Sequence, residues 1–150
     1  MNPNPDLAPK DAHPQTGQLH EDLLQTLDFT DEEDFDDARR GFLASVPDGT
    51  VPGGPRGPVW SMKPYAFLDE PRAPRTVNPS LWRLARLNHL HGLYRVCDRI
   101  YQVRGFDIAN ITFIEGTEGL IIIDPLTFAE AARAALELYY AHRPRRPVHT

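Results

Sequence analysis

The sequence holds one cysteine, Cys97, among 150 residues. That excludes an internal disulfide, and a lone thiol before Asp98 reads as a packed side chain rather than a nucleophile. Lysine is nearly absent, 2 against 14 arginines, a bias that decides nothing about function. No apolar stretch approaches the roughly 18 residues a membrane span needs. The opening "MNPNPDLAPKDAHPQTG" has neither a charged segment leading into an apolar one nor a cleavage site, so the chain is expected to stay in the cytoplasm. A net charge of −5 with no basic run gives no electrostatic footprint for nucleic acid, which is disfavoured as a partner. The glycines of "PDGTVPGGPRGP" lack the order that cradles phosphate and read as a surface loop.

What is present is unevenly spread. Residues 1–79 carry 7 basic and 14 acidic side chains and 12 of the 15 prolines, whereas residues 80–150 carry 9 basic and 7 acidic. Residues 1–20 show no periodic apolar face to offset the entropy of ordering, so a disordered tail is expected over 1–29. Thr30 with Glu33 forms a capping box for a short helix whose first turn is crowded with acids. The acids from Asp31 to Asp37 lack the glycine and terminal glutamate of a calcium loop and read as a solvated helix start. Trp60, Tyr65 and Phe67 suggest an arm packed on a core. Asn78 and Pro79 open a second helix with Leu81, Leu84, Ala85 and Leu87 as its apolar stripe and Gly92 as its stop. Residues 30–98 are thus expected to form an irregular, partly helical wrapping arm. His89 and His91 point about 200 degrees apart on one helix and cannot chelate one metal from within it.

From residue 99 the pattern turns to strands. "IYQVRG" and "NITFIE" alternate, and Gly116 to Gly119 turn the chain into "LIIID", giving a hairpin. The run Leu120–Ile123 reads as a strand buried on both faces that stops at a carboxylate, Asp124. Thr127 and Glu130 form a second capping box, for a helix in which Phe128, Ala132, Ala135, Leu136, Tyr139 and Tyr140 recur at helical spacing. Pro144 and Pro147 break it, and "VHT" begins another strand. Three strands and a helix leave a sheet without all its neighbours, so the chain is expected to be a fragment of an α+β or αβ fold.

The ordered set "DFDDARRGFLA", "VWSMKPYAFL", "VNPSLWRLARLNHLHGLYRV", "IYQVRGFDIANITFIEGTEGLIIIDPLT" and "RPVHT" resembles the N-terminal part of the bacterial alkyl sulfatases of the metallo-β-lactamase superfamily. The resemblance is densest between Val77 and Thr127. It implies an αβ/βα sandwich begun by residues 99–150, a dizinc site, a helical dimerisation region that makes the complete protein a homodimer, and a further lipid-carrier-like domain. The activity implied is hydrolysis of long-chain alkyl sulfates such as dodecyl sulfate to alcohol and sulfate. The family's metal ligands begin in a T-H-x-H-x-D-H motif expected after Thr150. No catalytic residue and no zinc ligand is therefore assigned here, His142 and His149 included, and the 150 residues alone are expected to be inactive. Asp124 matches the family's acid that lies beneath the metal loop and hydrogen-bonds to it; the alternative is that Asp124 caps the turn ahead of Thr127. Two other functions stay open: a thioester or lactone hydrolase of the same superfamily, and a non-enzymatic fragment that supports assembly.

Overall fold

The computed structural model describes residues 10–55 and 57–149. The first element is helix α1, Pro14–Thr26, which corrects the expectation of an unordered segment from Pro14 onward; residues 1–9 lie outside the described range. Proline suits a first helical position because the N–H it lacks has no partner there. The His13 ring accepts from the Gln15 N–H. What holds the helix is tertiary contact rather than an apolar stripe. Gly17 is packed so closely on Arg75 that a Cβ would lie 2.6 Å from a guanidinium nitrogen, and His20 Nδ1 sits 2.8 Å from the Arg75 carbonyl oxygen.

Helix α2, Glu33–Arg39, begins after Glu32, which offers no side-chain cap. The box expected at Thr30 does not form, because the Thr30 N–H and hydroxyl both donate to the Asp28 carboxylate. The single buried residue of α2, Phe35, is roofed by the guanidinium groups of Arg39, Arg83 and Arg86 at 5.4, 4.9 and 5.2 Å from its ring centre. Arg83 also donates to Asp34, pinning α2 to helix α3, Pro79–His89.

Asn78 caps α3 as the sequence suggests, its side-chain oxygen accepting from Ser80 and Leu81. The buried face differs from the expected stripe: Trp82 is buried, while Leu81 and Leu84 are exposed. Nor does Gly92 end the helix. Leu90 already has extended backbone, and Gly92 opens a strand with φ +133, where a Cβ would meet the Ala44 carbonyl at 2.4 Å. Only glycine fits so close a backbone approach.

The main sheet has five antiparallel strands in the order β1, β4, β5, β6, β7: Phe42–Ala44, Gly92–Cys97, Ile100–Arg104, Ile111–Glu115 and Leu120–Ile123. Two of these strands come from the segment read as a wrapping arm. A small hairpin, β2 (Thr50–Val51) with β3 (Trp60–Ser61), places Val51 in the core. Val148 makes a parallel bridge to Leu120, in keeping with a strand beginning at "VHT". Helix α4, Ala129–His142, covers one sheet face: Ala131, Ala135 and Tyr139 pack on Tyr101, Val103, Ile111, Phe113 and Leu120. The other face is open at its β7 edge, with Ile121 43% and Ile123 53% exposed. The run 120–123 is therefore buried on one face, not two. Its alternation of accessible and buried residues is that of a sheet with one side packed.

Candidate functional site

The end of β7 carries the residue singled out by sequence. Asp124 follows Ile123 directly, is exposed, and has φ +55; Leu126, two residues on, has φ +69. Left-handed backbone is tolerated by aspartate better than by most residues, while for leucine it is costly and must be held by its surroundings. Pro125 between them bars the preceding residue from ordinary helical geometry. The Asp124 carboxylate accepts no hydrogen bond from the described residues.

The tie that holds this loop comes from elsewhere. Asp107, 6% exposed, projects from the turn between β5 and β6. One of its carboxylate oxygens accepts from the Thr127 N–H at 2.6 Å. The other accepts from its neighbour Ile108 N–H at 2.6 Å and from the Thr127 hydroxyl at 3.3 Å. Thr127 therefore does not cap α4, whose N-cap residue is Phe128 with no side-chain bond. The turn before Thr127 is fixed by Asp107 and not by Asp124. The sequence offers no local signal for Asp107, a carboxylate between Gly105 and Asn110 whose partner Thr127 lies 20 residues further on.

The histidines are mostly scattered. His142 Nδ1 lies against the Leu138 carbonyl within α4, and the His149 N–H donates to the Leu120 carbonyl at the sheet edge. His89 and His91, expected to diverge, instead bring their ring centres to 5.9 Å, because α3 ends at the first of them. Burial holds the His89 imidazole below its ordinary value, Asp69 opposing and His91 reinforcing that shift. Its Nδ1 is buried and, among the described residues, has no hydrogen-bond partner, as is true of the Ser45 hydroxyl. Both residues help to line a cavity of about 630 Å³, with Phe42, Met62 and Leu90. A second cavity of about 400 Å³ shares Met62 and His89 and extends to Asp107 and Asn110.

Among the described residues no three His, Cys, Asp or Glu side chains converge as metal ligands. A catalytic zinc needs about three such ligands and an open position for water, a set that the described residues do not bring together.

Residues 104–150 match the family model of the metallo-beta-lactamase superfamily. Over 141 residues the chain is 48% identical to the alkyl/aryl-sulfatase BDS1 of Saccharomyces cerevisiae, covering 94% of this chain and 22% of the relative. Residues 104–150 are thus similar to this superfamily, and nearly the whole chain aligns with alkylsulfatases. An (R)-specific secondary-alkylsulfatase from Pseudomonas sp. is 47% identical over 93% of the chain and 21% of its own length. The solved structure of the stereoselective inverting sec-alkylsulfatase Pisa1 from Pseudomonas sp. superimposes with a TM-score of 0.84 at 47% identity, covering 93% of this chain and 22% of that one. The chain thus spans about a fifth of the length of these relatives, and the mixed α and β fold expected from sequence is the fold of the matching part of an alkylsulfatase. Among the described residues no helix is long and apolar enough to cross a membrane.

Proposed function

We propose that this chain is part of an alkylsulfatase, a sulfuric ester hydrolase that converts long-chain alkyl sulfates to alcohol and sulfate. The observation that carries the reading is the 48% identity to a protein named an alkyl/aryl-sulfatase over nearly the whole chain. The strand-end carboxylate Asp124 at the opening of a strained loop accords with it. Substrates of thioester or lactone type lose ground because the relatives with 44 to 48% identity are all named sulfatases.

In this reading the metal is zinc, two ions per site, held by residues outside the 150 described by this sequence. Zinc there supplies a water of lowered pKa and offsets charge on the sulfate oxygens. The chain's own contribution is structural support: Asp124 beneath the metal loop, oriented by a loop that Asp107 fastens to the sheet. A homodimeric assembly and a cytoplasmic location are proposals of the same kind, tested by sedimentation and by cell fractionation.

The deciding experiment is to express the full-length protein that contains this chain and follow sulfate release from dodecyl sulfate, with and without a chelator. Release that stops on chelation and returns with zinc supports the reading. Hydrolysis of a thioester or lactone in place of the sulfate ester would replace it.

A further inference from the structure

We propose that Asp107 is the positioning residue of the β7–α4 loop: it holds Asp124 in place from the far side of that loop. The inference rests on the reading of Asp124 given above.

The geometry has three parts. Asp124 and Leu126 are non-glycine residues at φ +55 and +69, strained conformations that persist only where the surroundings impose them. The chain leaves this strained pair at Thr127, and the Thr127 N–H is the first group past Leu126 able to anchor it. That N–H and the Thr127 hydroxyl both end on the Asp107 carboxylate, at 2.6 and 3.3 Å. Asp107 is itself fixed, because it is 6% exposed and the oxygen that takes the Thr127 hydroxyl also accepts from its neighbour Ile108 N–H. A carboxylate that receives two backbone N–H groups and a hydroxyl while buried is a charge-assisted clamp, stronger than neutral bonds of the same length.

The residue type is demanded by this pattern. Both oxygens accept, one from Ile108 and Thr127 Oγ1 and the other from the Thr127 N–H. Asparagine of the same shape has one accepting oxygen and would turn an NH₂ group toward one of the two N–H donors. Glutamate is longer by a methylene and would push into the loop. A role in packing alone would accept asparagine with little loss, whereas a role in clamping the loop would not.

The test uses the full-length protein and the variants Asp107→Asn, Asp124→Ala and their combination. Asp107→Asn is expected to lower kcat for dodecyl sulfate by 10- to 100-fold, the range for loss of a group supporting a site from behind. KM should change little, and amide exchange at Thr127 should quicken. The double variant should be no slower than Asp124→Ala, because both changes act through one loop. Losses that multiply would overturn the link to Asp124. Unchanged exchange at Thr127 would overturn the clamp itself. Wild-type turnover by Asp124→Ala with faster Thr127 exchange in Asp107→Asn would sink the role of Asp124 and leave Asp107 as the holder of the loop. Should Asp107→Asn not fold, Thr127→Val removes only the longer bond and is expected to lower kcat roughly threefold; turnover equal to wild type would count against the proposal.

Discussion

Glu115 and Arg143 meet through two parallel bonds, Nε to one carboxylate oxygen at 2.7 Å and a terminal nitrogen to the other at 2.9 Å. Tyr139 donates its hydroxyl to the same carboxylate at 2.8 Å. The acid at the end of β6 is thereby tied to the last turn of α4 and to the residue just beyond it, which fastens the helix across the sheet. Arg143 also lies over the Tyr101 ring at 4.9 Å.

Replacing Arg143 by Met should destabilise the protein by about 3 kcal/mol. That is the lower end for a broken buried pair, chosen because the Arg143 side chain is 35% exposed while that of Glu115 is 5% exposed. Denaturant unfolding of the full-length protein measures it. A loss under about 0.5 kcal/mol, the scale of a solvated surface pair, would show that water replaces the guanidinium without cost.

The same pair sets an acid limit. Arg143, foremost through its hydrogen bonds, holds the Glu115 carboxyl below its ordinary 4.5. A group whose value is depressed by folding adds stability above its unfolded value, and that contribution is lost as pH falls through the folded value. Wild type should therefore lose part of its stability below 4.5, whereas Arg143→Met, having lost the largest cause of the shift and kept the Tyr139 bond, should show a flatter dependence. Unfolding curves at neutral pH and at about pH 3 compare the two; parallel dependence would assign the acid limit to other carboxylates.

Asn78→Ala should cost about 1 kcal/mol, the usual value of a helix N-cap, because it strips the acceptor from Ser80 and Leu81. Asn78→Asp should hold within a few tenths of wild type. Equal losses in both variants would mean that the residue matters for something other than its accepting oxygen.

Much of this architecture is legible in the sequence where a local rule acts alone. Asn78 with Pro79 marks a helix start, and the Gly116–Gly119 turn, closed by the Gly116 N–H to the Gly119 carbonyl at 2.8 Å, marks a hairpin. Local rules fail where a distant or competing group intervenes. Thr30 and Thr127 both have a glutamate three residues on, as a capping box requires, yet Asp28 takes the first and Asp107 the second. Helix α1 has no legible apolar stripe, since it leans on Arg75, more than fifty residues away. Gly92 reads as a helix stop by type, but the close approach of Ala44 puts it in a strand. Asp107 was illegible for the same reason: its partner lies 20 residues further on, and no spacing rule joins a loop carboxylate to the N–H of a facing loop.

Asp124 lends itself to a pair of substitutions that separate backbone from carboxylate. Asp124→Gly relieves the left-handed backbone at φ +55 but removes the acid, and Asp124→Asn keeps a side chain tolerant of that conformation but removes the charge. If the carboxylate serves the site, both should lower turnover of the full-length protein 10- to 100-fold, the range for a supporting acid, while melting midpoints stay close to wild type or rise for glycine. Wild-type turnover in Asp124→Asn would leave the residue only its backbone role.

The last prediction concerns the 150 residues by themselves. Among the described residues no three ligand-type side chains converge, so the isolated chain should bind no stoichiometric zinc and release no sulfate from dodecyl sulfate. Its stability should also fall short, for a different reason. The sheet face away from α4 leaves Ile121, Ile123, Phe42 and Val96 between 43% and 53% exposed, and β7 meets the segment beyond it through one bridge, Leu120 to Val148. An uncovered apolar face beside a thinly paired edge invites association with other copies. The purified chain should therefore aggregate or melt without a sharp transition. Metal analysis, a sulfate-release assay and a thermal melt with light scattering read these outcomes separately. A cooperative melt from a monomer would mean that the open face is tolerated in water, and zinc-dependent sulfate release would mean that ligands assemble from histidines the structure holds apart.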